Sequence, residues 1–189
     1  MVLRDRRVRF TSPAQGIAAG VALVPEDRMR QGIFGAMSVS HNVTLPTLRK
    51  YWRKGRLRGR AEHSRVEELI RRFDIRPGNP SQVMARLSGG NQQKGVLAKW
   101  LETEPTLLLL DEPVQGVDVG SKSEIYHLLE TWVEATSATV VMVSTDFEDL
   151  RAVCHRVLVM KEGRIVAELE GAQKTVDRML ELAYLPGVA

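Results

Sequence analysis

Cysteine, long apolar stretches and metal-binding patterns are scarce or missing in this 189-residue sequence. Its only cysteine is Cys154, so no disulfide can form within the chain, which fits a reducing cytosol. The four histidines do not follow the spacing of a zinc site. No apolar run approaches the roughly 20 residues that a membrane-spanning helix requires. These absences argue against a disulfide scaffold, a zinc module and a membrane-spanning helix.

One phosphate-binding pattern is also missing, the glycine-rich loop G-x-x-x-x-G-K-[ST], whose backbone N–H groups hold nucleotide phosphates. The nearest match is Gly116–Ser123, in which one residue separates the second glycine from the lysine. This segment is better interpreted as a loop followed by the start of a helix. Any nucleotide bound by the 189 residues alone is therefore expected to bind weakly.

The composition is moderately basic, with 27 lysines and arginines against 23 acidic residues and a net charge of +4. Much of this excess lies in residues 49–60, where cationic side chains surround Tyr51 and Trp52. The cationic residues are Arg49, Lys50, Arg53, Lys54, Arg56, Arg58 and Arg60. The simplest interpretation is a solvated loop, and the main alternative is a surface that faces a membrane or a membrane partner. Binding to nucleic acid is a further alternative.

Short apolar runs alternate with amphipathic stretches, which predicts an α/β fold. Strands are expected at Val8–Phe10, Val21–Val24, Leu107–Leu110, Thr139–Val143, and in a hairpin of Arg156–Met160 with Arg164–Leu169. Helices are expected at Ser12–Ala19, over most of Ser38–Leu101, at Ser121–Ala135 and at Ala172–Ala183. Such strands between helices are typical of a sheet covered on both faces. The sequence therefore indicates an α/β layer with a helical insertion between Val24 and Leu107.

Two motifs point to nucleotide chemistry. The turn Ser88-Gly89-Gly90 opens a helix, whose first N–H groups and positive dipole end suit a phosphate. Asp111 and Glu112 follow four leucines and so lie at the carboxyl end of a buried strand, where α/β proteins bind ligands. A carboxylate there can hold Mg²⁺ or act on a water molecule.

Together these motifs resemble the ATP-binding subunits of ABC importers, specifically the C-terminal half of the duplicated ATPases for ribose-, xylose- and galactose-type sugars. The resemblance covers nearly the whole chain. It rests on V-P-E-D-R at Val24–Arg28, L-S-G-G-N-Q-Q-K at Leu87–Lys94, L-L-L-L-D-E-P at Leu107–Pro113, G-V-D-V-G at Gly116–Gly120, and Val157–Met160 with Glu162-Gly163-Arg164. It implies a P-loop-NTPase-like α/β fold without its N-terminal Walker A part. A helical subdomain is implied at about 38–103, and a RecA-like part at about 8–37 and 104–189.

The resemblance implies a role for each motif residue. Asp111 would hold Mg²⁺, Glu112 would act on the attacking water, and Thr145 stands where a histidine usually senses the γ-phosphate. Further residues are implied in binding ATP, namely Ser88, Gly89, Gly90, Gln92, Glu26 and Asp118. Among these, Glu26 takes the Q-loop position, and Asp118 takes the D-loop position that reaches across an ATPase dimer.

Three departures from the family pattern matter. Without a Walker A motif, the chain is expected to begin after it, as a natural truncation, a gene fragment or an excised piece, and to be inactive by itself. Thr145 can donate a hydrogen bond but cannot supply a cation. Val114-Gln115 replaces the usual Thr-Arg, which changes the residues expected at dimer contacts.

The implied function is ATP binding and hydrolysis coupled to monosaccharide uptake, in a peripheral subunit at the cytoplasmic face of the plasma membrane. The implied partners are an N-terminal ATPase half or second ATPase subunit, a membrane permease that contacts the helical subdomain, and indirectly a periplasmic or extracellular sugar-binding protein. No nucleic acid is expected. The alternatives are a nucleoside importer of similar build, a nucleic-acid-linked ABC ATPase and a fragment without catalytic activity.

Overall fold

Short strands alternate with helices in the computed structural model, which describes residues 2, 3 and 5–184 and only the backbone of Arg53. The strands are β1 (Val2–Leu3), β2 (Arg6–Arg7), β3 (Val21–Val24), β4 (Trp52–Arg53), β5 (Arg56–Leu57), β6 (Leu107–Asp111), β7 (Thr139–Val143), β8 (Arg156–Lys161) and β9 (Arg164–Glu170). The α-helices are α1 (Pro13–Ala18), α2 (Val39–Thr44), α3 (Gly59–Arg72), α4 (Gly89–Leu101), α5 (Val119–Ala135), α6 (Phe147–Val153) and α7 (Val176–Tyr184). The chain divides into two units, residues 1–141 and 142–189. None of the described helices is both long and apolar enough to cross a membrane.

Strands β3, β6 and β7 form a three-stranded sheet in the order β3-β6-β7, with β6 in the centre. β3 and β6 run parallel, in a register that pairs Val21 with Leu107 and Val24 with Leu110. Pro25 ends β3 because it has no N–H group to continue the ladder. The loops after β3 and β6 therefore leave the sheet side by side.

One face of this sheet is buried, and the described residues leave the other partly open. On β6, Leu108 and Leu110 are buried, whereas Leu109 between them is only half-buried. Leu23, which pairs with Leu109 and shares its face, is exposed, and so is Val141. The expected sheet covered on both faces is wrong at these positions, because the side chains of Leu23 and Val141 are exposed.

The insertion between β3 and β6 is organised around α4. This helix is buried along most of its length and packs against α2, α5 and β3. α3 and its C-cap residue Phe73 form one apolar stripe, in which Val66, Leu69, Ile70 and Phe73 are all buried, as their helical spacing predicts. Burial of each such side chain contributes roughly 1.5–3 kcal/mol, so the stripe is a main source of stability in the insertion.

A β-hairpin interrupts the segment that the sequence predicts to be mostly helical. β4 and β5 pair antiparallel, with Trp52 opposite Leu57. Lys54 and Gly55 join the strands with positive φ angles of 49° and 75°, as a two-residue type I′ turn requires. The pattern missed this hairpin because each strand has only two residues, too few for alternation to be recognised.

The first strands lie earlier than the sequence predicts. Residues 8–10, expected to form a strand, have no regular structure, and β1 pairs antiparallel with β2 instead. Both residues of β2, Arg6 and Arg7, are exposed. A strand of two solvated arginines has no apolar alternation by which a pattern could detect it.

The second unit is a hairpin packed with two helices. β8 and β9 pair antiparallel and turn at Glu162-Gly163, as expected. Its core is formed by Leu150, Val157, Val159, Leu169, Met179 and Leu182. The closing helix, expected from Ala172, begins only at Val176. Thr175 caps that helix, because its hydroxyl accepts a 3.2 Å hydrogen bond from the backbone N–H of Arg178.

Candidate functional site

Helix α4 begins at the signature turn, Ser88-Gly89-Gly90. Ser88 is the N-cap: its Oγ accepts hydrogen bonds from Asn91 N at 3.4 Å and from Asn91 Nδ2 at 2.8 Å. Both bonds use the oxygen as acceptor, so the Ser88 hydroxyl proton stays available to a ligand, and the side chain is exposed. Among the described residues, no acceptor satisfies the amides of Gly89 and Gly90. These donors, at the positive end of the helix dipole, fit a phosphate oxygen.

The two glycines of the signature turn also allow close packing within the chain. A Cβ added at Gly89 would lie 2.7 Å from Arg28 Nη2 and 2.8 Å from the carbonyl oxygen of Gly116. A Cβ added at Gly90 would collide with the side chain of Ser121 near the start of α5. Neither glycine has a positive φ angle. Both are therefore required by close approach of neighbouring groups and not by backbone conformation.

Arg28, the last residue of the V-P-E-D-R motif, connects three segments of the first unit. Its guanidinium donates hydrogen bonds to the carbonyl oxygens of Gln115, at 2.6 Å, and of Gly116, at 3.3 Å. Its Nε donates to Gln92 Oε1 at 3.4 Å. Hydrogen bonds from a charged donor are the stronger ones in proteins. One side chain thus ties the loop after β3 to α4 and to the loop after β6, and these contacts are called the Arg28 network below.

Two residues implied in nucleotide binding lie within or next to this network. Gln115 Nε2 donates to Glu26 Oε1 at 3.2 Å, so Glu26 lies beside the loop after β6. Gln92 is buried, and its Nε2 donates to the carbonyl oxygen of Leu87 at 3.1 Å. Gln92 therefore supports the signature turn from beneath, while its contact with nucleotide stays a prediction.

The two adjacent carboxylates lie at the carboxyl end of the central strand, as expected. Asp111 is the last residue of β6, and Glu112 follows it with a positive φ of 43°. A positive φ is uncommon for a residue with a side chain and is often found at functional sites. Both carboxylates are half-buried, so they are within reach of solvent. Oxygen donors of this kind fit Mg²⁺, which usually takes its remaining ligands from water and substrate phosphates.

Asp118 is the N-cap of α5. Its Oδ1 accepts from Ser121 N at 2.9 Å, and its Oδ2 accepts from Ser121 Oγ at 2.8 Å. These hydrogen bonds lower the pKa of the Asp118 carboxyl below its usual value, and the bond from the Ser121 backbone N–H has the larger effect. The side chain of Ser121 also packs against Gly90. Ser121 therefore lies between Asp118 and the signature turn. The near match Gly116–Ser123 is thus a loop and a helix start, as the sequence predicts.

Two anchors of α4 are not predicted by the sequence pattern. Lys94 is buried, and its Nζ donates to Glu124 Oε2 on α5 at 2.6 Å and to the Asp74 carbonyl oxygen at 3.1 Å. Asn91 Oδ1 accepts from Arg76 N at 2.7 Å. Both residues lie within L-S-G-G-N-Q-Q-K. Polar side chains on the inner face of this helix are the sequence feature that could have indicated buried polar contacts. They hold the signature helix to α5 and to the loop after α3.

Thr145 belongs to the second unit, in an exposed turn between β7 and α6. The next residue, Asp146, caps α6, because its Oδ1 accepts from Glu148 N at 3.1 Å and from Asp149 N at 3.3 Å. The turn is therefore a helix start. The role of Thr145 at a γ-phosphate stays a prediction.

Residues 4–115 match the protein family described as ABC transporter, which is more than half of the chain. Over 186 residues, 98% of this chain, the sequence is 40% identical to the xylose import ATP-binding protein XylG of Burkholderia cenocepacia. It is 39% identical over 181 residues to the ribose import ATP-binding protein RbsA of Rhodopirellula baltica. The matched region is 96% of this chain in the second comparison. The chain spans 36% and 35% of the lengths of these relatives.

Solved structures agree with this assignment. The chain is similar to CbiO1 of Clostridium perfringens, part of the ABC transporter complex CbiONQ, with a TM-score of 0.73 and 26% identity, covering 98% of this chain and 72% of that one. It shares its fold with the ATP-binding cassette MJ0796 bound to ADP and Pi, with a TM-score of 0.74 and 22% identity, covering 89% of this chain and 72% of that one. The expected ABC ATPase fold is confirmed, and the chain belongs to the ABC transporter family.

Proposed function

We propose that this chain is the C-terminal ATPase part of the ATP-binding subunit of an ABC importer for a monosaccharide. ATP binding and hydrolysis by that subunit drive uptake through a membrane permease. The named xylose and ribose import relatives support the substrate class. Because the chain spans about 36% of such relatives, the activity, sugar and partners of the whole protein all belong to the proposal.

The Arg28 network is the observation that carries the proposal. In an ABC ATPase dimer, the signature turn binds a nucleotide held mainly by the partner, whereas the carboxylates after the central strand serve the chain's own nucleotide. Arg28 links Gln92, behind the signature turn, to the carbonyl oxygens of Gln115 and Gly116, in the loop that follows those carboxylates. A rigid connection of this kind lets occupancy at one site change the geometry at the other.

The signature turn is proposed to bind a terminal phosphate. Mg·ATP supplies the transferable phosphoryl group and the negative charge that these residues recognise. Ser88 donates its free hydroxyl proton, and the amides of Gly89 and Gly90 donate along the α4 dipole. Asp118, at the N-cap of α5, contributes to the contact with the partner ATPase.

The carboxylates after β6 are proposed to serve hydrolysis. Asp111 would hold Mg²⁺ through water, and Glu112 would orient or deprotonate the attacking water. Glu26 accepts a hydrogen bond from Gln115, in the loop that follows these carboxylates. Through this contact Glu26 senses whether nucleotide is bound. Thr145 donates a hydrogen bond to the γ-phosphate in place of the more usual histidine.

Residues 38–103 are proposed as the helical subdomain that contacts the permease, which places the protein peripherally at the cytoplasmic face of the plasma membrane. Met29, Phe34 and Met37, which precede and join this segment, are exposed. Exposed apolar groups close together in sequence are typical of a surface that meets another protein. A periplasmic or extracellular sugar-binding protein acts through the permease and not on this chain.

The experiment places the 189 residues in a full-length importer subunit, in exchange for the matching segment of a xylose or ribose relative. Glu112→Gln should leave nucleotide binding intact and lower ATP turnover by at least roughly a hundredfold, the usual contribution of a general base. The residue of comparison is Glu104, which is exposed and also has a positive φ, of 54°. Glu104→Gln should leave turnover unchanged. Full turnover in Glu112→Gln would contradict the assigned role.

The isolated 189-residue chain is proposed to bind Mg·ATP weakly. Its sequence offers the signature turn and two carboxylates, but not a G-x-x-x-x-G-K-[ST] loop with its lysine and its nest of N–H groups. Isothermal titration calorimetry on the chain checks this. A micromolar dissociation constant would contradict the proposal, whereas recovery of tight binding in the exchanged full-length protein would support it.

A further inference from the structure

The most basic surface of the chain has no role in the proposed ATPase chemistry. Between Asp27 and Glu62 the sequence contains no acidic residue, while residues 49–60, called the basic hairpin below, contain seven lysines and arginines. Within the part of the chain that the structure describes, no carboxylate forms an ion pair with Arg49, Lys54, Arg56, Arg58 or Arg60. Exposed and uncompensated cations create a potential that attracts an anionic partner.

The basic hairpin is fixed at its base. Tyr51 is buried, and its carbonyl oxygen accepts a 2.8 Å hydrogen bond from Arg58 N, which closes the strand pair. Lys50 Nζ donates to the carbonyl oxygen of Glu102, just after α4, at 3.2 Å. The tip of the hairpin is therefore presented to solvent from a firm attachment to the helical part of the fold.

An apolar pair lies among these cations. Trp52 and Leu57 are directly opposite on β4 and β5, so their side chains share one face. They are 58% and 42% exposed. Lys54 at the tip is exposed, and so is Arg56, which pairs with Arg53 and therefore belongs to the other face of the strand pair. An exposed tryptophan and leucine bordered by lysine and arginine match the polarity of a membrane interface, where indole rings lie at the level of the headgroups.

We infer that the basic hairpin binds the anionic surface of a lipid bilayer. Trp52 and Leu57 enter the interface, and the surrounding cations contact lipid phosphates. Charge complementarity identifies this occupant, because juxtamembrane lysines and arginines each strengthen attachment to anionic lipid. The inference rests on the proposed function only in that an importer ATPase works next to a bilayer.

Two features favour lipid over nucleic acid. Proteins that bind single strands stack successive bases on several aromatic side chains, whereas Trp52 is the one exposed aromatic residue of the basic hairpin within the described residues. Its cross-strand neighbour is Leu57, which has no flat face on which a base could stack. A leucine is instead suited to the apolar boundary of a bilayer.

The test is sedimentation of the 189-residue chain with phosphatidylcholine vesicles, with and without phosphatidylglycerol. Binding is expected only with phosphatidylglycerol, and it should weaken as salt is added. Each charge removed should weaken binding roughly fivefold, which corresponds to about 1 kcal/mol. The double variant Lys54→Gln and Arg56→Gln should therefore bind roughly 25-fold more weakly. The charge-matched control, Arg71→Gln with Arg86→Gln, changes two other exposed arginines and should bind like the unmodified chain.

Tryptophan fluorescence supplies a readout that net charge alone would not change. Trp52 is more exposed than Trp100 and Trp132, so vesicle binding should shift its emission to shorter wavelength. Trp52→Phe should remove that shift.

Equal losses in the two double variants, equal binding to both kinds of vesicle, or the absence of a Trp52 shift would each overturn the inference. Binding of a 20-nucleotide single strand through Lys54 and Arg56, without vesicle binding, would reassign the basic hairpin to nucleic acid. None of these assays uses nucleotide hydrolysis, so their failure would leave the Glu112 experiment unaffected.

Discussion

Replacing Arg28 with methionine isolates the Arg28 network, because methionine keeps most of the apolar length of the side chain and removes its donors. The shortest bond lost is the 2.6 Å contact with the Gln115 carbonyl oxygen, and those of 3.3 and 3.4 Å are weaker. A hydrogen bond from a charged group contributes about 1.5–3 kcal/mol. Arg28 is only half-buried, so solvent replaces part of this contribution. We therefore expect the free energy of unfolding of the first unit to fall by about 2 kcal/mol.

Urea denaturation followed by tryptophan fluorescence measures this loss in the relevant unit. All three tryptophans, Trp52, Trp100 and Trp132, lie in residues 1–141. The signal therefore reports on the first unit, even if the two units unfold separately. A shift of the midpoint at constant slope would identify a change in stability and not in the extent of unfolding.

Arg30 provides the matched control, since it is the same residue type two positions away. Its side chain is 86% exposed, and its ion pair with Asp27 has an N–O distance of 3.7 Å. Arg30→Met should therefore change stability by less than about 0.5 kcal/mol. Arg28→Lys should give an intermediate loss, because an ammonium group cannot reproduce the planar fork of the guanidinium. Equal losses in Arg28→Met and Arg30→Met would refute the proposed connection.

Two further predictions concern close packing and pH. Gly90→Ala should destabilise the first unit by about 1–3 kcal/mol, because the new methyl group collides with Ser121. In the control variant, Gly59→Ala, the methyl group enters open space. Equal urea midpoints in both variants would contradict this prediction. Burial lowers the pKa of Lys99 from its usual 10.5 to about 8, so the unfolded chain binds the Lys99 proton more tightly than the folded chain. The free energy of unfolding should therefore rise by on the order of 1 kcal/mol per pH unit between about pH 8 and pH 10.5, relative to a Lys99→Met variant. A pH-independent difference between the two proteins would show that this proton is not linked to folding.

The features that could be predicted from the sequence depend on residues close together along the chain. Four leucines before Asp111 specify a strand and the position of its carboxyl end. Ser88 before two glycines specifies a capped helix start, and the spacing of Val66, Leu69 and Ile70 specifies the buried face of α3. In each case the pattern itself is contained in a few neighbouring residues, although β6 pairs with the distant β3, so local pattern and local structure agree.

The features that could not be predicted depend on residues far apart along the chain. Arg28 meets Gln92, which is 64 positions away, and Gln115, which is 87 positions away. In the sequence, an arginine in a polar loop looks solvated. The same limit applies to Gly90. The position must be glycine because the Ser121 side chain packs against it, and Ser121 is distant in sequence. Lys94 was missed similarly, because a buried lysine is expected only once its partner Glu124 is known.

The signature turn therefore presents one side to the protein and another to solvent, which decides how its role in phosphate binding should be tested. Gly89→Asp brings negative charge but also places a Cβ 2.8 Å from the Gly116 carbonyl oxygen, so lost activity would not separate misfolding from phosphate repulsion. Ser88→Asp avoids this collision, because Asp is as good an N-cap as serine and its charge suits the start of α4. Ser88→Asp should keep stability within about 0.5 kcal/mol and abolish ATP-driven uptake in the full-length protein. Normal uptake with normal stability would show that no phosphate approaches Ser88.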